Sequence, residues 1–292
     1  MSKPDSSYPL KDRVLLITGA SRGIGRAIAL RAARAGARIA ILAKTQTPHP
    51  HLPGTIETVA REVRDLGAQA LPIATDIRDV EAIEAAVSRV VAEWGRLDIL
   101  VNNASAIALG GLAEIPVKKL DLLWSVNARG TYACTRAALP HLRQAENPHV
   151  LVLAPPPSLD PRWFSGHLGY TLTKMGMSFC VLGLSRELAP KGIAVNALWP
   201  KTVIATQALT QLGGSIRPEN CRTPEIVADA AVEILKQPAR TTTGQFFIDE
   251  TVLQEAGITD LDRYAVSPGA RLLPDLFLPE FLDARDRKTE SD

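Results

Sequence analysis

Cysteine is scarce in this chain. Three residues, Cys134, Cys180 and Cys221, are odd in number, far apart and in no metal-ligand spacing, so neither a disulfide framework nor a zinc site has support. Structural thiols in a reducing compartment are the expectation. Histidine is as sparse: of five, His49 and His51 share a Pro-rich loop without acidic or thiol neighbours and the others stand apart, which argues against metal catalysis. Charge of one sign is missing too. The 33 Lys plus Arg nearly balance 31 Asp plus Glu, and no basic stripe forms of the kind a phosphate backbone demands, so a nucleic-acid partner is excluded. No apolar run approaches the roughly 20 residues that cross a bilayer, and Met1 to Lys11 lacks the charged-then-apolar layout of a signal peptide. No membrane partner and a cytoplasmic location follow as expectations. Solenoid repeats and low-complexity tracts are absent, apart from a stiff break at Pro155 to Pro157.

What the chain does hold is an alternation of short apolar runs with longer helical patterns. Arg13–Thr18, Arg38–Ala43, Ala70–Thr75, Asp98–Val101, His149–Leu153, Ile193–Leu198 and Gln245–Ile248 read as strands too apolar for a sheet wetted on one face. Between them Ile24–Ala35, Ile56–Leu66, Val80–Trp94, Val117–Gln144, Met175–Leu188 and Glu225–Leu235 carry apolar residues at helical spacing. Gly36, Gly67, Gly95 and Gly192 stand where helices end. The class is α/β: a doubly wound, mainly parallel, seven-stranded sheet with helices on both faces, in one domain. Residues 1–10 form an N-terminal extension, 11–250 the domain with a polar substrate loop at 203–222 that contains Gly213-Gly214, and 251–292 a C-terminal extension packed on the same domain.

Two stretches carry chemistry. Thr18-Gly19-Ala20-Ser21-Arg22-Gly23-Ile24-Gly25 follows the first strand and opens a helix. Its backbone N–H groups and the positive helix end can dock a pyrophosphate, and its glycines let the phosphates come close. After the second strand, where a preference for NAD places an acid on the ribose hydroxyls, the chain has Ala43-Lys44-Thr45. A cation there favours a 2'-phosphate. Arg22 and Lys44 are its candidate partners, with solvated surface residues as the alternative. Asp76 and Asn102-Asn103-Ala104-Ser105 also follow strands, at the edge where such sheets bind ligands. The second stretch is Tyr170-Thr171-Leu172-Thr173-Lys174. On a helix its tyrosine and lysine share a face, and a cation beside a phenol lowers the tyrosine pKa. Tyr170 is then a general base for alcohol oxidation and a general acid for carbonyl reduction.

The turn Gly19–Gly25, Asn102-Asn103-Ala104, Asn127 within Ser-Val-Asn-Ala-Arg-Gly, the Tyr170/Lys174 pair and Val195-Asn196-Ala197, in this order, resemble the short-chain dehydrogenase/reductase family over roughly Lys11 to Asp249. More narrowly, Pro48-His49-Pro50, Pro161–Phe164, Asn196–Thr202 and Tyr264–Pro274 resemble its hydroxysteroid dehydrogenase-like subgroup. Animal members of that subgroup add a sterol-carrier domain and are organellar. This chain ends at Asp292 without that domain or a peroxisomal tripeptide, and a stand-alone relative is the expectation.

The resemblance implies a Rossmann-type fold and a nicotinamide nucleotide, NADP(H) preferred and NAD(H) possible. It places Gly19, Ser21, Arg22, Gly23, Ile24, Gly25, Lys44, Asp76, Asn102, Tyr170, Lys174 and Thr202 at the cofactor, Lys174 on the nicotinamide ribose and Asn127 in a water-linked proton relay. It implies a small-molecule alcohol or carbonyl of lipid-like (steroid, fatty-acyl or terpenoid) character, and a homodimer or homotetramer.

Two departures stand out. Where the family has a catalytic serine after the fifth strand, this chain runs Ala154-Pro155-Pro156-Pro157-Ser158. Either Ser158 or Ser165 reaches in, or the donor is missing, and losing one such donor lowers rates by about 10²- to 10³-fold. The second is Pro200-Lys201 in place of a Pro-Gly pair, a cation that could meet substrate or phosphate. The missing serine motivates an alternative, a nucleotide-binding sensor or assembly protein of weak turnover. An epimerase or dehydratase is a third reading, without the longer C-terminal substrate domain such enzymes carry.

Overall fold

The computed structural model of this protein describes residues 9–48, 53–212 and 216–281. His49 and Pro50, Gly213-Gly214, the first eight residues and the last eleven lie outside the described residues. Within them, seven strands alternate with helices as their apolar runs dictate: β1 (Val14–Thr18), β2 (Arg38–Ala43), β3 (Ala70–Ala74), β4 (Ile99–Asn102), β5 (His149–Val152), β6 (Ala194–Trp199) and β7 (Phe246–Ile248). They pair in the order β3-β2-β1-β4-β5-β6-β7, parallel at every junction, with Leu16 opposite both Ala40 and Leu100. Every residue of β1, β4, β5 and β6 is buried, whereas the edge strands β3 and β7 are only partly covered. Continuous apolar runs therefore mark the central strands.

The helices are α1 (Gly23–Arg34), α2 (Ile56–Asp65), α3 (Val80–Trp94), α4 (Val117–Val126), α5 (Ala128–Leu142), α6 (Leu168–Leu188), α7 (Glu225–Leu235) and α8 (Asp249–Glu255). Their ends have local causes. The Thr55 hydroxyl and the Asp79 carboxylate accept the Thr58 and Ala82 amides, 3.0 Å each, at the starts of α2 and α3. Gly95 closes α3 at φ 72°, a left-handed conformation that spares only a residue without Cβ. The helices cover both faces of the sheet. On one, Ala29, Ala32 and Ala33 of α1 meet Ala228, Ala230 and Ala231 of α7 against Ile17 and Ile41, small side chains that let helix and sheet approach closely. On the other, Val87, Cys134, Ala138, Met177 and Val181 pack on Leu16, Leu100 and Val152. All three cysteines are unpaired, and burial pushes the Cys134 thiol up to about 12.

Two expectations change. The helix read over Val117–Gln144 is two helices, because Asn127 ends α4, receives the Ala106 amide on its side chain at 2.7 Å and turns the chain into α5. Apolar periodicity runs through this break, so it leaves no mark in the sequence. Helix α6 begins seven residues before Met175, at Leu168, where glycines and threonines hide the pattern. Helix α8 leads from β7 into the C-terminal segment, and Pro274 of that segment bridges antiparallel to Thr202. No helix among the described residues is long and apolar enough to cross a membrane.

His149 opens β5 with its ring buried. Its Nε2 lies 3.0 Å from the Gln237 carbonyl and so carries the proton, which leaves Nδ1 buried without a partner. A second proton has nowhere to bond, and burial lowers the pKa from 6.5 to about 4. The unfolded chain then binds more protons between pH 6.5 and about 4, so stability is whole above pH 6.5 and falls as pH drops through that window, by about 1.4 kcal/mol per pH unit at most. The buried carboxyls of Asp249 and Asp275, pushed up to about 6 and about 7, act in the opposite sense over the same window, so the readout is a difference: urea denaturation at successive pH values should show the wild type losing stability relative to His149→Gln as pH drops from 6.5 to about 4.

Candidate active site

The sheet grows away from β1 in one direction through β2 and in the other through β4, and loops leaving β1 and β4 part there to open a crevice. The glycine turn lines it. The Thr18 hydroxyl accepts the Asn103 and Ala104 amides at 3.1 and 3.0 Å, and the Asn103 side-chain amide donates to the carbonyls of Thr18 (2.9 Å) and Gly19 (3.1 Å). The two loops are thus tied face to face. A Cβ on Gly19, which sits at φ 66°, would lie 2.7 Å from the Ala104 Cα, and one on Gly25 would lie 2.4 Å from the Asn103 side-chain nitrogen. Helix α1 starts at Gly23 with no side-chain cap and no acid in its first turn. Its orphan N–H groups and the positive end of its dipole are left for an anion.

A cavity of about 480 Å³ follows this turn, within the range of small-molecule sites. Gly19, Ser21, Arg22, Gly23, Ile24, Gly25, Lys44 and Asp76 line it, as the sequence leads one to expect. Among the described lining residues the charged ones are Arg22, Lys44, Arg78 and Lys119 against Asp76 alone. Asp76 is itself gripped by Arg78, whose guanidinium lies 2.5 to 3.0 Å from its carboxylate and holds it below the usual carboxylate range. Arg22 donates to the Pro53 and Gly54 carbonyls at 3.1 and 2.9 Å, bracing the approach to α2, while Lys44 is exposed at the end of β2. Asn102 is buried and donates to the Thr135 hydroxyl at 3.1 Å, so it faces away from the cavity and Asn103 takes its place there. Asn103 stood in the same motif. Side chains alternate across a strand's end, and that alternation was the signal for choosing it.

Tyr170 and Lys174 lie one turn apart in α6, both buried, and neither lines the cavity. The Lys174 ammonium donates to the Leu153 carbonyl at 2.9 Å and stands 5.1 Å from the centre of the Trp199 ring. The expected depression of the phenol pKa is reversed. Burial raises the Tyr170 pKa, the nearby Asp275 carboxyl adds to it, and burial lowers that of Lys174 to about 7. Desolvation dominates because Trp163, Trp199, Phe277 and Leu278 close around the tyrosine. Asp275 is likewise pushed up to about 7, chiefly by burial. Nothing in the charge balance of Leu272–Leu278 distinguishes this acid in the sequence, since only the folding-back of the tail brings it to the site.

The remaining expected residues divide. The Asn127 side chain donates to the Ala106 carbonyl at 3.0 Å and the Thr173 hydroxyl at 2.9 Å, anchoring the loop after β4 to α6 beside the tyrosine. The Ser158 hydroxyl accepts the Asp160 amide at 3.2 Å, which leaves its proton to donate elsewhere, and Ser165 is exposed. The Thr202 hydroxyl is buried without a hydrogen-bond partner, an orphan of the kind a bound ligand satisfies. Lys201 forms an ion pair with Glu280 at 3.5 Å. The loop 203–222 contributes Thr206, Gln207 and Ala208 to the cavity wall.

Comparison with known proteins agrees with this geometry. The model of the family described as short chain dehydrogenase matches residues 13–214. Hydroxysteroid dehydrogenase-like protein 2 of Danio rerio is 54% identical over 264 residues, 90% of this chain and 63% of that protein. The Homo sapiens protein of the same name is 50% identical over 277 residues, 95% of this chain and 66% of that protein. The chain thus spans somewhat under two-thirds of the length of these relatives. A crystal structure from Xanthomonas campestris, assigned provisionally as a dehydrogenase, superposes with a TM-score of 0.90 at 56% identity, covering 92% of this chain and 98% of that one. A short chain dehydrogenase from Mycobacterium thermoresistibile superposes at 0.87 and 47% identity, covering 92% and 96%.

Gly19→Ala tests the turn. Its Cβ must displace Ala104 while the backbone holds a positive φ, so melting should report about 1–3 kcal/mol of lost stability, and nucleotide titration a weaker affinity.

Proposed function

The chain belongs to the short-chain dehydrogenase family, and on that premise we propose that it is an NADP(H)-dependent oxidoreductase that interconverts an alcohol and a carbonyl on a lipid-like molecule, with Tyr170 as the proton-exchanging group. The observation that carries the reading is that Tyr170 and Lys174, one helical turn apart, stand behind Ile107, which lines the cavity at the uncapped start of α1 and also packs on the cluster around the tyrosine. Members of this family use a nicotinamide nucleotide. When bound, it supplies or accepts the hydride, which no side chain can do.

The residues present fit such a group. The uncapped start of α1 and the turn around Gly19 and Gly25 hold the pyrophosphate, and the orphan hydroxyl of Thr202 offers a hydrogen bond at the nicotinamide end. Lys44, with Arg22 beside it, meets a 2'-phosphate, and the excess of cations over Asp76 in the cavity wall favours NADP over NAD. Tyr170 exchanges the proton at its phenol oxygen. Its raised pKa keeps the phenol protonated at neutral pH, the form that donates to a carbonyl being reduced. Lys174, its pKa lowered by burial, is fixed one turn from the phenol by its hydrogen bond to the Leu153 carbonyl. Asn127 steadies the loop against α6, and Ser158 or Ser165 supplies the second hydrogen bond to the reacting oxygen.

The lipid-like preference rests on the aromatic wall of Trp163, Trp199 and Phe277 and on the hydroxysteroid dehydrogenase-like relatives. Exposed Trp124, Leu172, Phe179 and Leu182 on α4 and α6 support a homodimer or homotetramer. A cytoplasmic location is kept for its reducing conditions, under which three unpaired thiols persist.

Fluorescence titration should show NADPH binding more tightly than NADH, with Lys44→Asp weakening NADPH by about tenfold, one charged contact's worth, and leaving NADH nearly unchanged. With a panel of ketones, Tyr170→Phe should lower kcat by about 10²-fold or more at unchanged NADPH affinity. Equal turnover in wild type and Tyr170→Phe would remove the tyrosine from the chemistry. Nucleotide binding without any turnover would make the protein a nucleotide sensor.

A further inference from the structure

The cavity stops short of the tyrosine. Its wall reaches Ile107, which also packs against the cluster that contains Tyr170, and beyond that point the space is filled by the C-terminal arm. Phe277 is the filling group. Its ring centre lies 6.1 Å from that of Tyr170, 5.7 Å from Trp163 and 5.9 Å from Trp199, and Phe281 adds a contact to Trp163 at 5.9 Å. Tyr170 is left 5% exposed. A substrate oxygen must come within hydrogen-bond reach of a phenol to exchange a proton with it, and here the arm stands in the way.

The arm is placed there by specific contacts. The Val203 amide donates to the Leu273 carbonyl (2.9 Å), the Asp275 amide to the Lys201 carbonyl (3.0 Å) and the Leu273 amide to the Asn220 carbonyl (3.0 Å). The Trp199 indole donates to the Leu276 carbonyl at 2.8 Å, and the Asp275 carboxylate accepts the Leu276 amide at 2.7 Å. Held on both sides, Leu276 delivers Phe277 in a left-handed backbone conformation, φ 71°, which a bulky aromatic adopts only when its surroundings enforce it. Such strain collects at ligand clamps and moving segments. Among the described residues the arm's polar anchors are three backbone hydrogen bonds, one indole and the half-exposed Lys201–Glu280 pair, beside the packing of Phe277 and Leu278. They also tie the arm to the 201–203 segment that carries Thr202.

We propose that the arm Leu273–Phe281 is a built-in occupant of the substrate seat, with Phe277 standing where the apolar part of a substrate lies once its oxygen reaches Tyr170. This rests on the reading of Tyr170 as the proton-exchanging group. Opening at the Leu273–Asp275 pairing exposes the phenol, and the aromatic wall then receives an apolar substrate in place of the ring. Phe277 is accordingly the residue that sets how large a molecule fits beside the tyrosine.

Nitration by tetranitromethane, read peptide by peptide in the intact protein, tests this without a substrate. Tyr132, 54% exposed on α5, is the internal standard. In the wild type Tyr170 should react about tenfold or more slowly than Tyr132, because modification follows the population of the open arm. In Phe277→Gly, which removes the ring and accepts the positive φ, the two rates should converge. Glu280→Lys, an exposed change that breaks only the ion pair, should accelerate Tyr170 by a smaller factor, with NADPH affinity and melting temperature reporting that both variants are folded. A wild-type rate at Tyr170 equal to that at Tyr132, or a rate unmoved in both folded variants, overturns the proposal. Inactivity toward every ketone would sink the oxidoreductase reading instead, and leaves the nitration result standing as the answer about the arm.

Discussion

Everything in the site hangs on the point where the parallel sheet changes its direction of growth, between β1 and β4. Strands on either side send their connections to opposite faces, so the loops leaving β1 and β4 separate and a crevice must open at their carboxyl ends. The separation has to be controlled. Thr18 and Asn103 do so by bonding the two loops together at 2.9 to 3.1 Å, and Gly19 and Gly25 remove the side chains that would prop them apart. The same contacts point the uncapped start of α1 into the opening. Anion binding is therefore a consequence of topology first and of sequence second.

At the inner end of the crevice a different force dominates. Taking Tyr170, Lys174 and Asp275 out of water moves all three toward their uncharged forms, the phenol and carboxyl upward and the amine downward. Asp275 opposes this for Lys174 and reinforces it for Tyr170. The closed arm thus holds the pair in a dry environment, and admitting solvent or a substrate changes the protonation balance as well as the access. Access and proton affinity are coupled through one aromatic cluster. Lys201, which replaces a small residue of the family pattern, finds its partner in Glu280 of the same arm.

The strands were legible because burial on both faces leaves apolar runs, and the helices because apolar periodicity ends at glycine stops: Arg38–Ala43 stands as β2 and Val80–Trp94 as α3 with the ends read from the sequence. The glycine turn was legible because its residue types serve one backbone geometry. Local pattern failed where a single side chain works over a long range. Asn127 breaks a helix by reaching Ala106, Asn102 turns to Thr135 while Asn103 faces the crevice, and the tail closes on Tyr170 through residues about a hundred positions away. The pKa of Tyr170 inverted for the same reason: the adjacent lysine is local, while the aromatic cover is not.

The most direct measurement is a crystal structure of the full chain grown with NADPH. The account predicts the nucleotide in the crevice between the β1 and β4 loops, pyrophosphate at the start of α1, 2'-phosphate beside Lys44 and nicotinamide at Thr202 and Tyr170. A nucleotide bound elsewhere, or seated in the crevice with its nicotinamide far from Tyr170, would contradict it.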